Sequence, residues 1–146
     1  MTIVDVKFVK LCEEAKIPTY ATDGSVGMDF YALTHAVIFP NSTFLMRTGI
    51  KMQLPKNTEM VIRQRSGISL KFPNYIAISV GTIDNDYTGE IKIPLVNHRK
   101  DTKMIVNPGD KIAQGIIHPI YKANLIQVEK LEETIRGEGG FGHTGN

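Results

Sequence analysis

The run "TIDNDYTGE" (82–90) sets Asp84, Asp86 and Tyr87 side by side, two carboxylates and a phenol at what its flanks mark as the tip of a hairpin. A carboxylate held by a tight turn can take a proton from water, and aspartates also favour turns on structural grounds alone. "RQRSG" (63–67) places two arginines at i and i+2 on one face of a strand and then breaks into Ser66 and Gly67. An arginine fork, a hydroxyl and free backbone N–H groups at the start of a helical turn bind anions well; a solvated basic strand end is the plainer alternative. Gln114 interrupts the apolar run of "GDKIAQGI" (109–116), and a buried amide needs partners, which the backbone could supply. Asp29 stands among apolar residues in "VGMDFYAL" (26–33), where a carboxylate requires a paired charge, a metal-bound water or several N–H donors. His35, His98 and His118 share no ligand spacing and read as ordinary surface or core histidines.

The sequence closes on "RGEGGFGHTGN" (136–146), rich in glycine around one aromatic, Phe141. Gly137, Gly139 and Gly142 fit G-x-G-x-x-G, but such a loop works because a strand feeds it and a helix follows, and the sequence stops at Asn146. The tail is therefore expected to bind by another route or to fray.

These stretches must be carried by strands. Short apolar alternations recur at 36–39, 43–54, 58–65, 74–83, 89–98, 103–109, 111–121 and 125–131, after "VDVKFVKL" near the start. "PN" at 40, "PKN" at 55 and "NPGD" at 107 supply turns through the fixed φ of proline and the left-handed tolerance of asparagine and glycine. "SGISLK" (66–71) and "LEETIR" (131–136) are the stretches suited to a helical turn. Eight or more short strands predict an all-β fold, a sandwich or a closed jelly-roll-like barrel, because edges must be managed. In the longest hairpin, Ile76, Ile78 and Val80 before the turn match Ile91, Ile93 and Leu95 after it, each at period two, with Ile78 roughly opposite Lys92.

The 146 residues suit one domain, 42% hydrophobic and 22% charged. We divide it into a β domain over 1–135 and a flexible lid over 136–146. Cys12 is the one cysteine, so an internal disulfide and a cysteine metal cage are excluded, which suits a reducing compartment. No leader-like start and no long apolar run is present, and the expectation is an unexported chain with no membrane partner. A net charge of +2 with scattered basic residues argues against a nucleic-acid polymer as partner and leaves a small anion.

Taken in order, "VGMDFYAL", "RQRSGIS", "GTIDNDYTGEI", "GDKIAQGII" and "RGEGGFGHTG" closely resemble the five motifs of the trimeric dUTP pyrophosphatases (dUTPases), and the resemblance spans nearly the whole chain. It implies a jelly-roll-like β subunit, a homotrimer with active sites at subunit interfaces, Mg²⁺, and hydrolysis of dUTP to dUMP and pyrophosphate, which keeps uracil out of DNA and supplies dUMP for dTMP synthesis. Position by position, it makes Asp84 the residue that orients and activates the attacking water. Tyr87 would stack under the deoxyribose and refuse a 2′-hydroxyl, while the backbone at Ile78, Thr82, Ile83 and Lys92 would pair with the uracil edge. Arg65, Ser66 and Gly67 would hold the phosphates from a neighbouring subunit, and Gln114 would bond the phosphate chain. Phe141 would lie on the uracil face, Arg136 would reach the γ-phosphate, and Gly142, His143 and Thr144 would add donors around the triphosphate. Mg²⁺ would be held mainly by the triphosphate, with Asp29 near it through water or supporting the site indirectly.

The sequence departs from the family pattern at Gln64, Ser69 and His143, where proline, alanine and serine are usual. An imidazole at 143 would bind phosphate more strongly once protonated. Two other readings compete: deamination of dCTP on a related fold, for which no glutamate is placed to direct attack at the base, and a non-catalytic nucleotide-binding regulator, which would not need an intact catalytic set.

Overall fold

A computed structural model of the chain describes residues 3–67, 75–77 and 81–140, with backbone alone at 75–77. The described residues form ten strands: β1 (Lys7–Lys10), β2 (Met28–Tyr31), β3 (Ala36–Ile38), β4 (Ser42–Gln53), β5 (Thr58–Arg63), β6 (Tyr75–Ala77), β7 (Gly81–Ile83), β8 (Glu90–Asn97), β9 (Met104–Val106) and β10 (Lys111–Pro119). The fold is all-β, as the alternation predicts. The strands make one sheet in the order β1-β4-β8-β6, a second in the order β2-β10-β5-β7, and a two-stranded β3-β9 ribbon, every pairing antiparallel. Two four-stranded sheets fit the jelly-roll-like, all-β architecture expected from sequence; among the described residues no barrel closes.

Alternation decides which face each strand buries. Ile91, Ile93 and Leu95 of β8 are each 1% exposed, while Lys92 between them faces out. They join Met46 and Ile50 of β4, and Phe30, Met60, Ile62 and Ile112 of the second sheet, in one cluster, so the two sheets share a core. Burial on this scale is the main driving force for the fold, about 1.5–3 kcal/mol per large apolar side chain. Gly115 on β10 leaves room for the side chains of its flanking strands, since a Cβ there would stand 2.7 Å from the Phe30 ring of β2 and 2.8 Å from the Met60 sulfur of β5.

Turn chemistry falls where the sequence places it. Asn41 and Asn57 adopt φ of 53° and 60°, and Gly109 takes 84° in a turn closed by Asp110 N–H on the Asn107 carbonyl. Three readings of local structure need correcting. The 74–83 run is not one hairpin arm: Tyr75–Ala77 pairs with β8, with Ala77 facing Leu95, whereas Gly81–Ile83 leaves to pair with β5 in the other sheet. The expected register would have set Ala77 against Ile93; the observed one is displaced by two residues, which preserves the buried face. Residues 125–131 form no strand, because no sheet edge among the described residues receives them, and 131–136 form no helix; Leu125 and Leu131 are 92% and 81% exposed. Finally, β2 carries no alternation in its sequence because Met28, Asp29 and Phe30 are all buried.

Candidate active site

The divergence of β7 from β8 makes the site. After Ile83 the chain turns through Asp84–Tyr87, closed by Tyr87 N–H on the Asp84 carbonyl at 3.1 Å, and re-enters at Glu90. Since β7 spends its ladder bonds on β5, and β8 pairs with β4, the mouth between them stays open. It holds a pocket of about 400 Å³ lined by Leu45, Thr82, Ile83, Asp84, Tyr87, Glu90 and Lys92. The structure thus brings together Thr82, Ile83, Asp84, Tyr87 and Lys92. Asn85 secures the turn from behind, its amide donating to the Thr58 carbonyl at 3.2 Å.

A second group gathers on β2, β10 and the end of β5. Asp29, 6% exposed, faces Gln114, and Gln114 faces Arg63 across the ladder. Arg65 Nε donates to Asp29 Oδ1 at 2.7 Å, and Lys111 Nζ stands 2.8 Å from Oδ2 as an ion pair without a directed hydrogen bond. The Arg65 side chain remains 30% exposed, and a guanidinium has donors beyond the one tied to Asp29 that suit phosphate. The Gln114 amide donates to the Gln64 carbonyl at 2.9 Å, holding the segment that carries Arg65. Its oxygen occupies the space a Cβ on Gly27 would fill. Ser66 and Gly67 open a helical turn, as expected from sequence, and continue into residues outside those described.

One chain does not bring the two groups together. Ile83 pairs with Met60 near the start of β5, while Arg65 lies just beyond its far end. At about 3.3 Å per residue, Asp84 and Arg65 are separated by roughly 20 Å along that strand. Arg136 is likewise outside the pocket, its Nε donating to the Gly139 carbonyl at 2.8 Å within an exposed turn. Ile78, Phe141, Gly142, His143 and Thr144 lie outside the described residues.

Sequence reasoning passed over Lys111, Glu90 and Arg47. Glu90 lines the pocket with its carboxylate held by Arg47 Nε, 3.0 Å from both oxygens, and by the Gly49 N–H at 2.9 Å. The charge pattern alone could have flagged Lys111, one strand across from a buried aspartate, had β2 been recognised as a strand. Among the described residues no group of three His, Cys, Asp or Glu converges on a metal position, and no helix is long and apolar enough to cross a membrane.

The family model for dUTPase matches residues 13–145. A deoxyuridine 5'-triphosphate nucleotidohydrolase of Helicobacter pylori is 46% identical over 140 residues, covering 96% of each chain. One of the same name from Clostridium tetani is 46% identical over 145 residues, covering 99% of each. Among solved structures, the dUTPase of Staphylococcus bacteriophage 80alpha with dUPNHPP superposes with a TM-score of 0.89 at 25% identity, covering 97% of this chain and 99% of that one.

Proposed function

The chain belongs to the dUTPase family, and from that premise we propose that it hydrolyses dUTP to dUMP and pyrophosphate by attack of an Asp84-activated water on the α-phosphate. The observation that carries this reading is the pocket between β7 and β8, which collects Thr82, Ile83, Asp84, Tyr87 and Lys92 around one space. The carboxylate of Asp84 at the head of the turn accepts a proton from water as it attacks, a contribution of about 10²- to 10⁴-fold. Backbone groups of Thr82, Ile83, Lys92 and Ile78 serve as the pairing partner for the uracil edge, in a fit that leaves no room for a C5 methyl. Cytosine presents the opposite donor and acceptor pattern, which would strand buried groups at about 1–3 kcal/mol each. Tyr87 lies under the deoxyribose as an obstacle to a 2′-hydroxyl.

Arg65, Ser66 and Gly67 serve the phosphates, and Gln114 serves them directly or by holding the Gln64–Arg65 backbone. Since these residues stand roughly 20 Å from Asp84 in their own chain, they complete the pocket of another copy. That geometry supports a homotrimer with sites at its interfaces. The exposed apolar residues Leu125, Ile126, Val128 and Leu131, beyond the last strand, support the same association. The tail from Arg136 is the lid, with Phe141 on the base and Arg136, Gly142, His143 and Thr144 on the triphosphate. Asp29 is a poor fit for Mg²⁺, since both of its oxygens already face cations. The ion belongs with the triphosphate oxygens, where it would neutralise phosphate charge, and Asp29 supports the site through Arg65. A reducing compartment, cytoplasm or nucleus, suits a free Cys12, and the dUMP formed there is available for dTMP synthesis while uracil is kept from DNA.

The test is incubation with dUTP, dCTP, dTTP and UTP in the presence of Mg²⁺, following pyrophosphate. Release from dUTP alone is expected; release from dCTP in preference to dUTP, or from none, would overturn the reading.

A further inference from the structure

Tyr87 is 44% exposed, so packing alone does not fix its ring. Its hydroxyl donates to the Glu90 carbonyl at 2.9 Å, closing the turn back on itself. The ring also occupies the place where a Cβ on Gly89 would collide with it, so the pose requires glycine there. Glu90 is in turn anchored through its side chain, which is 11% exposed. Arg47 Nε reaches both carboxylate oxygens and the Gly49 N–H donates to Oε1. Arg47 borders and Gly49 lies within an irregularity in β4, where the register steps from Arg47 opposite Lys92 to Lys51 opposite Glu90. Thr48 locks that irregularity, its hydroxyl donating to the Ile91 carbonyl at 2.6 Å. An unbroken series of contacts therefore runs from β4 through Glu90 to the hydroxyl of Tyr87.

We propose that Arg47 and Glu90 are positioning residues for sugar discrimination: they immobilise the Glu90 backbone, which holds the Tyr87 ring rigid against a 2′-hydroxyl. The inference rests on the reading that Tyr87 lies under the deoxyribose. A yielding apolar wall rejects an added hydroxyl by only about 10²-fold, so stronger exclusion of ribonucleotide needs a ring that cannot move aside. Arg47, 51% exposed at its side chain, points its guanidinium at Glu90 and is absent from the pocket lining.

The measurement is the ratio of kcat/KM for dUTP to that for UTP in the unmodified chain and in Arg47→Ala, Arg47→Lys, Tyr87→Phe and the Arg47→Ala/Tyr87→Phe double variant. Arg47→Ala should lower the ratio about tenfold, mainly by raising kcat/KM for UTP, toward the roughly 10²-fold limit of a compliant pocket. Arg47→Lys should restore part of the loss, since an ammonium can still pair with Glu90. Tyr87→Phe, which keeps the ring and removes its anchor, should act similarly, and the double variant should fall no further than the lower single, because both cut one series of contacts. An unchanged ratio in Arg47→Ala, or fully additive losses, would overturn the proposal while leaving the Tyr87 reading intact. Failure of the unmodified chain to prefer dUTP over UTP would instead remove the Tyr87 reading and this inference with it.

Discussion

Asp84 and Asp29 separate the two ways a carboxylate can serve one site. Asp84 is exposed at the head of its turn and free to meet water, so Asp84→Asn should bind a non-hydrolysable dUTP analogue within a few-fold of the unmodified chain while kcat falls about 10²- to 10⁴-fold. Calorimetric titration beside steady-state kinetics checks both; a near-normal rate would mean another group is the base. Asp29 is buried between two cations, one at each of its oxygens. Asp29→Asn leaves Arg65 without its anchor and Lys111 beside a neutral amide. Removing one partner of a buried pair costs about 3–5 kcal/mol. The cations here keep 30% and 38% exposure, and the solvent they retain reduces the expected loss to about 1–3 kcal/mol. A displaced Arg65 should also raise KM for dUTP more than it lowers kcat.

Elements show why some of this was legible in sequence and some was not. Period-two alternation identified β4, β5, β8 and β10, and asparagine in the left-handed region identified the turns at 41 and 57, because each of these signals is local. By contrast β2, buried along three of its four residues, has no polar face to betray it. Residues 125–131 alternate like a strand but pair with no strand among the described residues, so a correct local pattern led to a wrong element. Asp84 and Tyr87 were legible because the turn and the chemistry share one stretch, whereas Glu90 with Arg47, and Asp29 with Lys111, meet only through cross-strand register. The irregularity in β4 invites a direct test of its own. Gly49 sits at φ 70°, and a Cβ there would stand 2.7 Å from that of Ala15. Gly49→Ala should destabilise the fold by about 1–3 kcal/mol from backbone strain alone, seen as a lower urea midpoint. An unchanged midpoint would show that β4 relaxes freely at this position.

At the scale of the whole molecule, the decisive quantity is the distance between Asp84 and Arg65. Strand β5 runs between the levels at which these residues sit, and the sandwich core shared by both sheets leaves no freedom to fold one end onto the other. If each site takes its water-activating carboxylate from one chain and its phosphate-binding guanidinium from another, two inactive variants must complement. Asp84→Asn and Arg65→Ala, each nearly silent alone, should recover activity when unfolded together in equal amounts and refolded. Random assortment into a closed ring gives each site an intact pair in about a quarter of cases, so about a quarter of the unmodified turnover should return. The same mixture prepared from chains cut after Pro119 should not recover, because those chains lack the exposed apolar segment 125–131 that we assign to association, together with the tail. Sedimentation of the cut chain should show the monomer. No complementation by full-length variants would require both residues to act within one chain, and a rearrangement of β5 on nucleotide binding would then have to supply the missing 20 Å or so. Strands buried on both sides in a packed core do not make such movements, which is why the mixing experiment separates the two cases cleanly.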